Sequence, residues 1–140
     1  MTAVRASTDA RADTGGEGEP VPLRVVLVDD DERFRAMARR SLESDGVEVL
    51  AEVENGADTL DAVLLWRPDL VLLDIGLPDI DGLEVARRIG EQVAGPAVIL
   101  ISTRDTEYGS RVAAGLAVGY LPKDELSLAA IVELIGARPS

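Results

Sequence analysis

Four apolar runs in this chain each end in residues able to handle a phosphate or a metal ion. LRVVLVDDD (Leu23 to Asp31) ends in Asp29, Asp30 and Asp31, and DLVLLD (Asp69 to Asp74) ends in a lone acid. AVILIST (Ala97 to Thr103) ends in two hydroxyls, and GYLPKD (Gly119 to Asp124) supplies the amine of Lys123. Short aliphatic, β-branched runs of this kind read as buried strands. Acids, hydroxyls and an ammonium therefore recur at one end of what read as parallel strands.

If Asp29, Asp30 and Asp74 gather around one point, their charges need compensation. Two carboxylates about 5 Å apart repel by roughly 3 kcal/mol at an effective dielectric near 20. A hard divalent cation relieves this, and Mg²⁺ suits such a site because it takes oxygen ligands and keeps several waters, with Mn²⁺ a close substitute. The chain contains no Cys and no His, so softer metals lack their preferred ligands. The same absence excludes disulfides, Ser-His-Asp chemistry and a phosphohistidine carrier role.

An Asp at the mouth of such a site can also act as a nucleophile and form an acyl phosphate. Phosphoryl transfer then rests mainly on neutralising the equatorial oxygens. The cation serves one oxygen, the Lys123 ammonium a second and the Ser102 hydroxyl a third, with Thr103 the alternative hydroxyl. Asp31 reads differently, as the N-cap of a helix.

The elements that must position these residues follow from periodicity. Arg24 to Val28 reads as a buried strand, and Asp31 to Ser44 as a helix with Phe34, Met37, Ala38, Ser41 and Leu42 along one stripe. Val47 to Val53 alternates, placing Val47, Val49, Ala51 and Val53 on one strand face. Asn55 caps a helix through Trp66 with the stripe Leu60, Val63 and Leu64, and Leu70 to Leu73 forms a third strand. A loop with Gly76, Pro78 and Gly82 leads into a helix from Leu83 to Glu91, followed by a strand from Ala97 to Ile101. Asp105 to Ala114 reads as a fourth helix, Ala117 to Leu121 as a fifth strand, and Glu125 to Ile135 as a last helix with Leu128, Ile131, Val132 and Ile135 inward. Five strands alternating with five helices predict an α/β fold with a doubly wound parallel sheet. In such sheets ligands collect beyond the carboxyl ends of the strands, where the acids, hydroxyl and lysine lie.

Composition sets the outer limits. A chain of 140 residues suits one domain, and with 46% hydrophobic but only 3% aromatic residues its core must be aliphatic. The formal net charge of -12 argues against direct nucleic-acid binding, which needs a basic face. No apolar run approaches the roughly 20 residues of a membrane span, and the N-terminus lacks the apolar core of a secretory signal. A cytoplasmic location is the expectation. Residues 1–22, rich in Gly, Pro, Thr and charge, read as a flexible tail, residues 23–137 as the folded domain and 138–140 as its C-terminal end.

These features resemble the receiver domain of two-component response regulators over Leu23 to Ala137. The resemblance rests on VLVDDD (Val26 to Asp31), LLDIGLPDIDG (Leu72 to Gly82), ILIST (Ile99 to Thr103) and GYLPKD (Gly119 to Asp124), in the family's order and spacing. It implies a flavodoxin-like strand order, 2-1-3-4-5, an order for which the chemotaxis receivers are a standard example. It implies Asp74 as phosphoacceptor, Asp30 as a direct Mg²⁺ ligand, Asp29 acting mainly through water, and the Gly76 carbonyl as a further ligand. By the same resemblance Ser102 is the switch hydroxyl, Lys123 the phosphate-binding lysine and Tyr120 the switch aromatic. Gly76 and Arg104 occupy positions that tune the lifetime of the phosphoryl group.

The implied phosphodonor is a sensor histidine kinase or phosphotransfer protein. The implied output is a downstream protein partner, or a homodimer, engaged through the face of the fourth helix, fifth strand and fifth helix. Pro122 precedes Lys123 and Asp124 follows it, whereas the family often places proline after the lysine. The chain also ends just after the last predicted helix, which reads as a stand-alone receiver. Two other readings are an Mg²⁺-dependent aspartyl phosphohydrolase and a degenerate receiver acting as a constitutive interaction module. The first expects a second Asp where Gly76 stands, and the second expects a lost acid, hydroxyl or lysine.

Overall fold

The structure is a computed structural model that describes residues 21–92, 95–103 and 119–137. Its strands are β1 (Arg24–Val28), β2 (Glu48–Val53), β3 (Leu70–Asp74), β4 (Ala97–Ser102) and β5 (Gly119–Pro122). Its helices are α1 (Glu32–Ser44), α2 (Gly56–Trp66), α3 (Gly82–Gln92) and α4 (Leu128–Ala137), and a single 3₁₀ turn (Lys123–Glu125) leads into α4. The strands form one parallel sheet in the order β2-β1-β3-β4-β5. The predicted helix from Asp105 to Ala114, the start of the fifth strand at Ala117, and Arg104 lie outside the described residues.

Period-two alternation along the strands divides the core into two layers. Val25, Leu27, Leu70, Leu72, Ile99 and Ile101 pack with Phe34, Ala38 and Leu42 of α1 and Ile131 of α4. Their neighbours Val26, Val28, Val71, Leu73, Val98 and Leu100 face Val63 of α2 and Val85, Ala86 and Ile89 of α3. β1, β3 and β4 are buried on both faces because each lies between two other strands.

Three expectations are corrected by this packing. Met37 is 53% exposed and Ser41 is exposed, because only Phe34, Ala38 and Leu42 point at the sheet. Leu64 and Val132 are likewise exposed; Thr59 and Val63 fill the inward stripe of α2, and Leu134 packs where Val132 was expected.

The third correction concerns β2. Val25 pairs with Val49 but Val26 pairs with Ala51, so Leu50 is an extra residue. A bulge of this kind inverts the alternation beyond it. Val47 and Val49 therefore join the α1 layer, whereas Ala51 and Val53 join the α2 layer. The same inversion turns Glu52 toward α1, where it meets Arg35 and Arg39.

Candidate functional site

Strand register brings the candidate residues to one edge. Asp74 is the last residue of β3 and pairs with Ile101, one position before Ser102. Ser102 in turn pairs with Pro122, one position before Lys123. Asp29 and Asp30 follow directly on β1, which lies beside β3. The sequence-predicted residues Asp29, Asp30, Asp74, Ser102 and Lys123 thus converge on the carboxyl end of the sheet.

Each acid is held by local backbone. Asp29 is fully buried, and its Oδ1 accepts from the Asp31 N–H at 2.8 Å. Asp31 caps α1 by accepting from the N–H groups of Arg33 and Phe34, as expected. Asp74 is 7% exposed, and its Oδ1 accepts from the Gly76 N–H at 3.1 Å. Asp30 is exposed at the rim.

Gly82 explains why the Asp74 loop needs a glycine eight residues on. A Cβ at Gly82 would overlap the Asp74 carbonyl oxygen and lie 2.8 Å from Ile75 Cα, so α3 begins flush against the Asp74 backbone. The other end of the loop is tied to α2. Asp79 accepts from the N–H groups of Gly56 and Ala57 at 2.8 and 2.9 Å, and the first of these bonds is the main reason its carboxyl sits below the ordinary range.

Oxygens of Asp29, Asp30 and Asp74 lie within 4.8 Å of one another, a spacing one cation can bridge. The Lys123 ammonium stands 2.7 Å from Asp29 Oδ2 and 3.7 Å from Asp74 Oδ2. It is the cation paired with Asp29 Oδ2. Burial raises the Asp74 pKa and the Asp29 charge raises it further, against the opposing pull of the Gly76 N–H and Lys123. For Lys123, burial favours the neutral amine, but Asp29 and Asp74 outweigh it and the pKa is raised.

A buried carboxylate oxygen with one cationic neighbour, beside two more carboxylates, is a donor set that fits a hard divalent ion. Gly76 is exposed, and no atom stands within 4 Å of where its Cβ would be. The loop there is open to solvent.

Ser102 is 3% exposed whereas Thr103 is exposed, and both line an open pocket of about 470 Å³ with Lys123 and Phe34. Tyr120 is 9% exposed and packs in the α2–α3 layer. Three contributors escaped the sequence reading. Phe34, expected only to pack, also lies under the Lys123 ammonium, 4.7 Å from ring centre to Nζ. Arg35 donates to the Asp29 carbonyl, and Asp79 anchors the loop. A cap such as Asp79 leaves a weak signal in an acid set 23 residues from its helix start, and Arg35 leaves none.

Known proteins share this fold. Residues 25–135 match the family model of the response regulator receiver domain. The chain is 38% identical over 106 residues to the response regulator MprA of a Mycobacterium species (strain KMS), covering 74% of this chain and 45% of that protein. It is 41% identical over 103 residues to a positive alginate biosynthesis regulatory protein of Pseudomonas aeruginosa, covering 72% of this chain and 41% of that one. The solved signal receiver domain of NarL from Mycobacterium tuberculosis superposes with a TM-score of 0.76 at 31% identity, covering 85% of this chain and all of that one. The chain belongs to the response regulator receiver family. It spans about half the length of the curated relatives it matches. Among the described residues, no helix is long and apolar enough to cross a membrane.

Proposed function

We infer that this receiver domain accepts a phosphoryl group on Asp74 and uses the modification to change its affinity for a protein partner. The observation that carries this reading is the meeting of Asp74 with Asp29, Asp30 and the Lys123 ammonium at the end of the central strand. In the transfer, an Asp74 carboxylate oxygen attacks phosphorus, the phosphorus–nitrogen bond of a phosphohistidine breaks, and the imidazole leaves with the bond's electron pair. The donor is a histidine kinase or a phosphotransfer protein.

Asp30, Asp74 and the Gly76 carbonyl would hold Mg²⁺, with Asp29 acting mainly through water and Mn²⁺ a substitute. When bound, the ion neutralises charge on the phosphoryl oxygens. Lys123, already 3.7 Å from Asp74 Oδ2, neutralises a second oxygen. The Ser102 hydroxyl binds the third, and Ser102 with Tyr120 passes the change to the surface around β5. Arg104 and Gly76 flank the path of the hydrolytic water and set how long the acyl phosphate lasts. The domain is a self-limiting switch rather than a turnover enzyme, and its place of action is the cytoplasm.

The test uses Mg²⁺ with acetyl phosphate or phosphoramidate, followed by intact mass of the parent and Asp74→Asn. One phosphoryl group on the parent alone supports the reading. No adduct on either protein sinks it in favour of a constitutive interaction module, and repeated turnover of phosphate esters sinks it in favour of a hydrolase. Decay of the adduct in Arg104→Ala, compared with the parent, tests the lifetime role of that residue.

A further inference from the structure

Both ladders that hold β1 end at Val28, yet the acid pair starts one residue later. The Asp29 N–H still reaches β2, donating to the Val53 carbonyl at 2.9 Å. The Asp29 carbonyl is instead met by a side chain, the guanidinium of Arg35 on α1, which donates to it through Nη1. The Nε of that guanidinium lies 3.1 Å from Glu52 Oε1 on β2. The second Glu52 oxygen holds Arg39 at 2.8 Å. The Arg35 side chain is only 12% exposed, so the fork works in a largely desolvated place, where two fixed arms set angle as well as distance.

We propose that Arg35 is a positioning residue for the divalent-cation site, clamping the Asp29 carbonyl against Glu52 and so fixing the backbone from which Asp29 and Asp30 project. The inference rests on the reading of Asp29, Asp30 and Asp74 as the cation site. Simple electrostatics predicts the opposite sign, because a guanidinium near the pocket repels a dication and its removal would tighten binding. A positioning role predicts weaker binding, since outer partners of metal ligands typically carry about 10–100-fold in affinity.

The experiment is a calorimetric titration with Mg²⁺, with free Mn²⁺ counted by electron paramagnetic resonance as a second readout. The proteins are the parent, Arg35→Met, Arg35→Lys and Arg39→Met, each checked for native circular dichroism and melting. Arg35→Met is expected to bind at least about tenfold more weakly. Arg35→Lys is expected to bind weakly too, although it keeps the charge and most of the stem, because one ammonium cannot reproduce the fork. Arg39→Met removes the same charge from the same Glu52 without touching Asp29, and its affinity is expected to match the parent or exceed it slightly. A parent that binds no Mg²⁺ overturns the cation reading and this inference together. A parent that binds, with either Arg35 variant binding as tightly or more tightly, overturns the positioning role alone.

Discussion

Lys123 Nζ stands 2.7 Å from Asp29 Oδ2, a full ångström closer than it stands to Asp74. The lysine therefore serves as counter-ion to the fully buried acid of the pocket. It competes with any metal ion for that carboxylate.

Replacing the lysine should accordingly have two opposite effects. Lys123→Met is expected to lower stability without metal by about 1–3 kcal/mol, the usual cost of leaving a buried acceptor unpaired. The same variant is expected to bind Mg²⁺ more tightly while failing to take phosphate from acetyl phosphate. Chemical denaturation in EDTA and Mg²⁺ titration check the two halves. An unchanged Mg²⁺ affinity would mean that ammonium and cation do not share Asp29.

Asp74 carries the reverse balance. Its folded pKa lies above the unfolded value of 3.8, chiefly through burial and then the Asp29 charge. The ionised side chain thus opposes folding at neutral pH, and that penalty fades as pH falls through the folded pKa. Asp74→Asn is expected to be more stable than the parent in EDTA, by about 1 to 2 kcal/mol once the lost attraction to Lys123 is subtracted. Saturating Mg²⁺ should raise the parent's melting temperature, by about 2.7 kcal/mol of stability at a hundredfold excess over Kd, and should leave the Asn variant nearly unmoved. A variant that melts below the parent in EDTA would contradict the burial argument.

Carboxyl titrations followed by ¹³C NMR should separate the acids. Glu84, hydrogen-bonded by Arg87 and Arg88, is held down to about 2 and should remain ionised as pH drops through 3. Glu52 is also lowered from its ordinary 4.5, mainly by Arg39 and also by Arg35. Its stabilisation is complete above that ordinary value and is lost as pH falls through the depressed folded one. Asp74, raised above 3.8, should take up its proton at higher pH than Glu84, and a reversed order would refute the assignment.

Two glycines of one loop should respond differently to a single methyl group. Gly82→Ala drives a Cβ into the Asp74 carbonyl, and backbone on both sides leaves little room to relax. A loss of about 3 kcal/mol or more is expected, at the upper end for overpacking. Gly76→Ala meets nothing within 4 Å and should melt near the parent. Thermal melts of the two variants side by side decide the point.

The glycine after Asp74, the acids and the lysine were legible in the sequence because they recur at successive strand ends and their spacing repeats a family pattern. The parallel sheet covered on both faces followed from aliphatic runs such as Leu70 to Leu73 alternating with helices, whereas the strand order came only with the family resemblance. Stripes on helices were read less well, since periodicity marks Met37 and Leu64 as readily as Phe34 and Val63, and only docking onto the sheet chooses between them. Arg35 was invisible for a different reason. Its partners are a carbonyl, which every residue has, and Glu52, which strict alternation would have placed on the other face of β2.

That last point gives the bulge in β2 a reach well beyond its own edge of the sheet. Leu50 acts as a phase shift in the strand, and everything after it is out of step with what came before. Regular pairing along all of β2, with Leu50 kept and taken into the ladder, would turn Glu52 away from α1 and leave Arg35 holding the Asp29 carbonyl with one arm. Pairing in this strand is thus as strictly specified as identity at the acids, and a slip that erased the bulge while keeping the strand's length would act on the candidate site as surely as a substitution inside it.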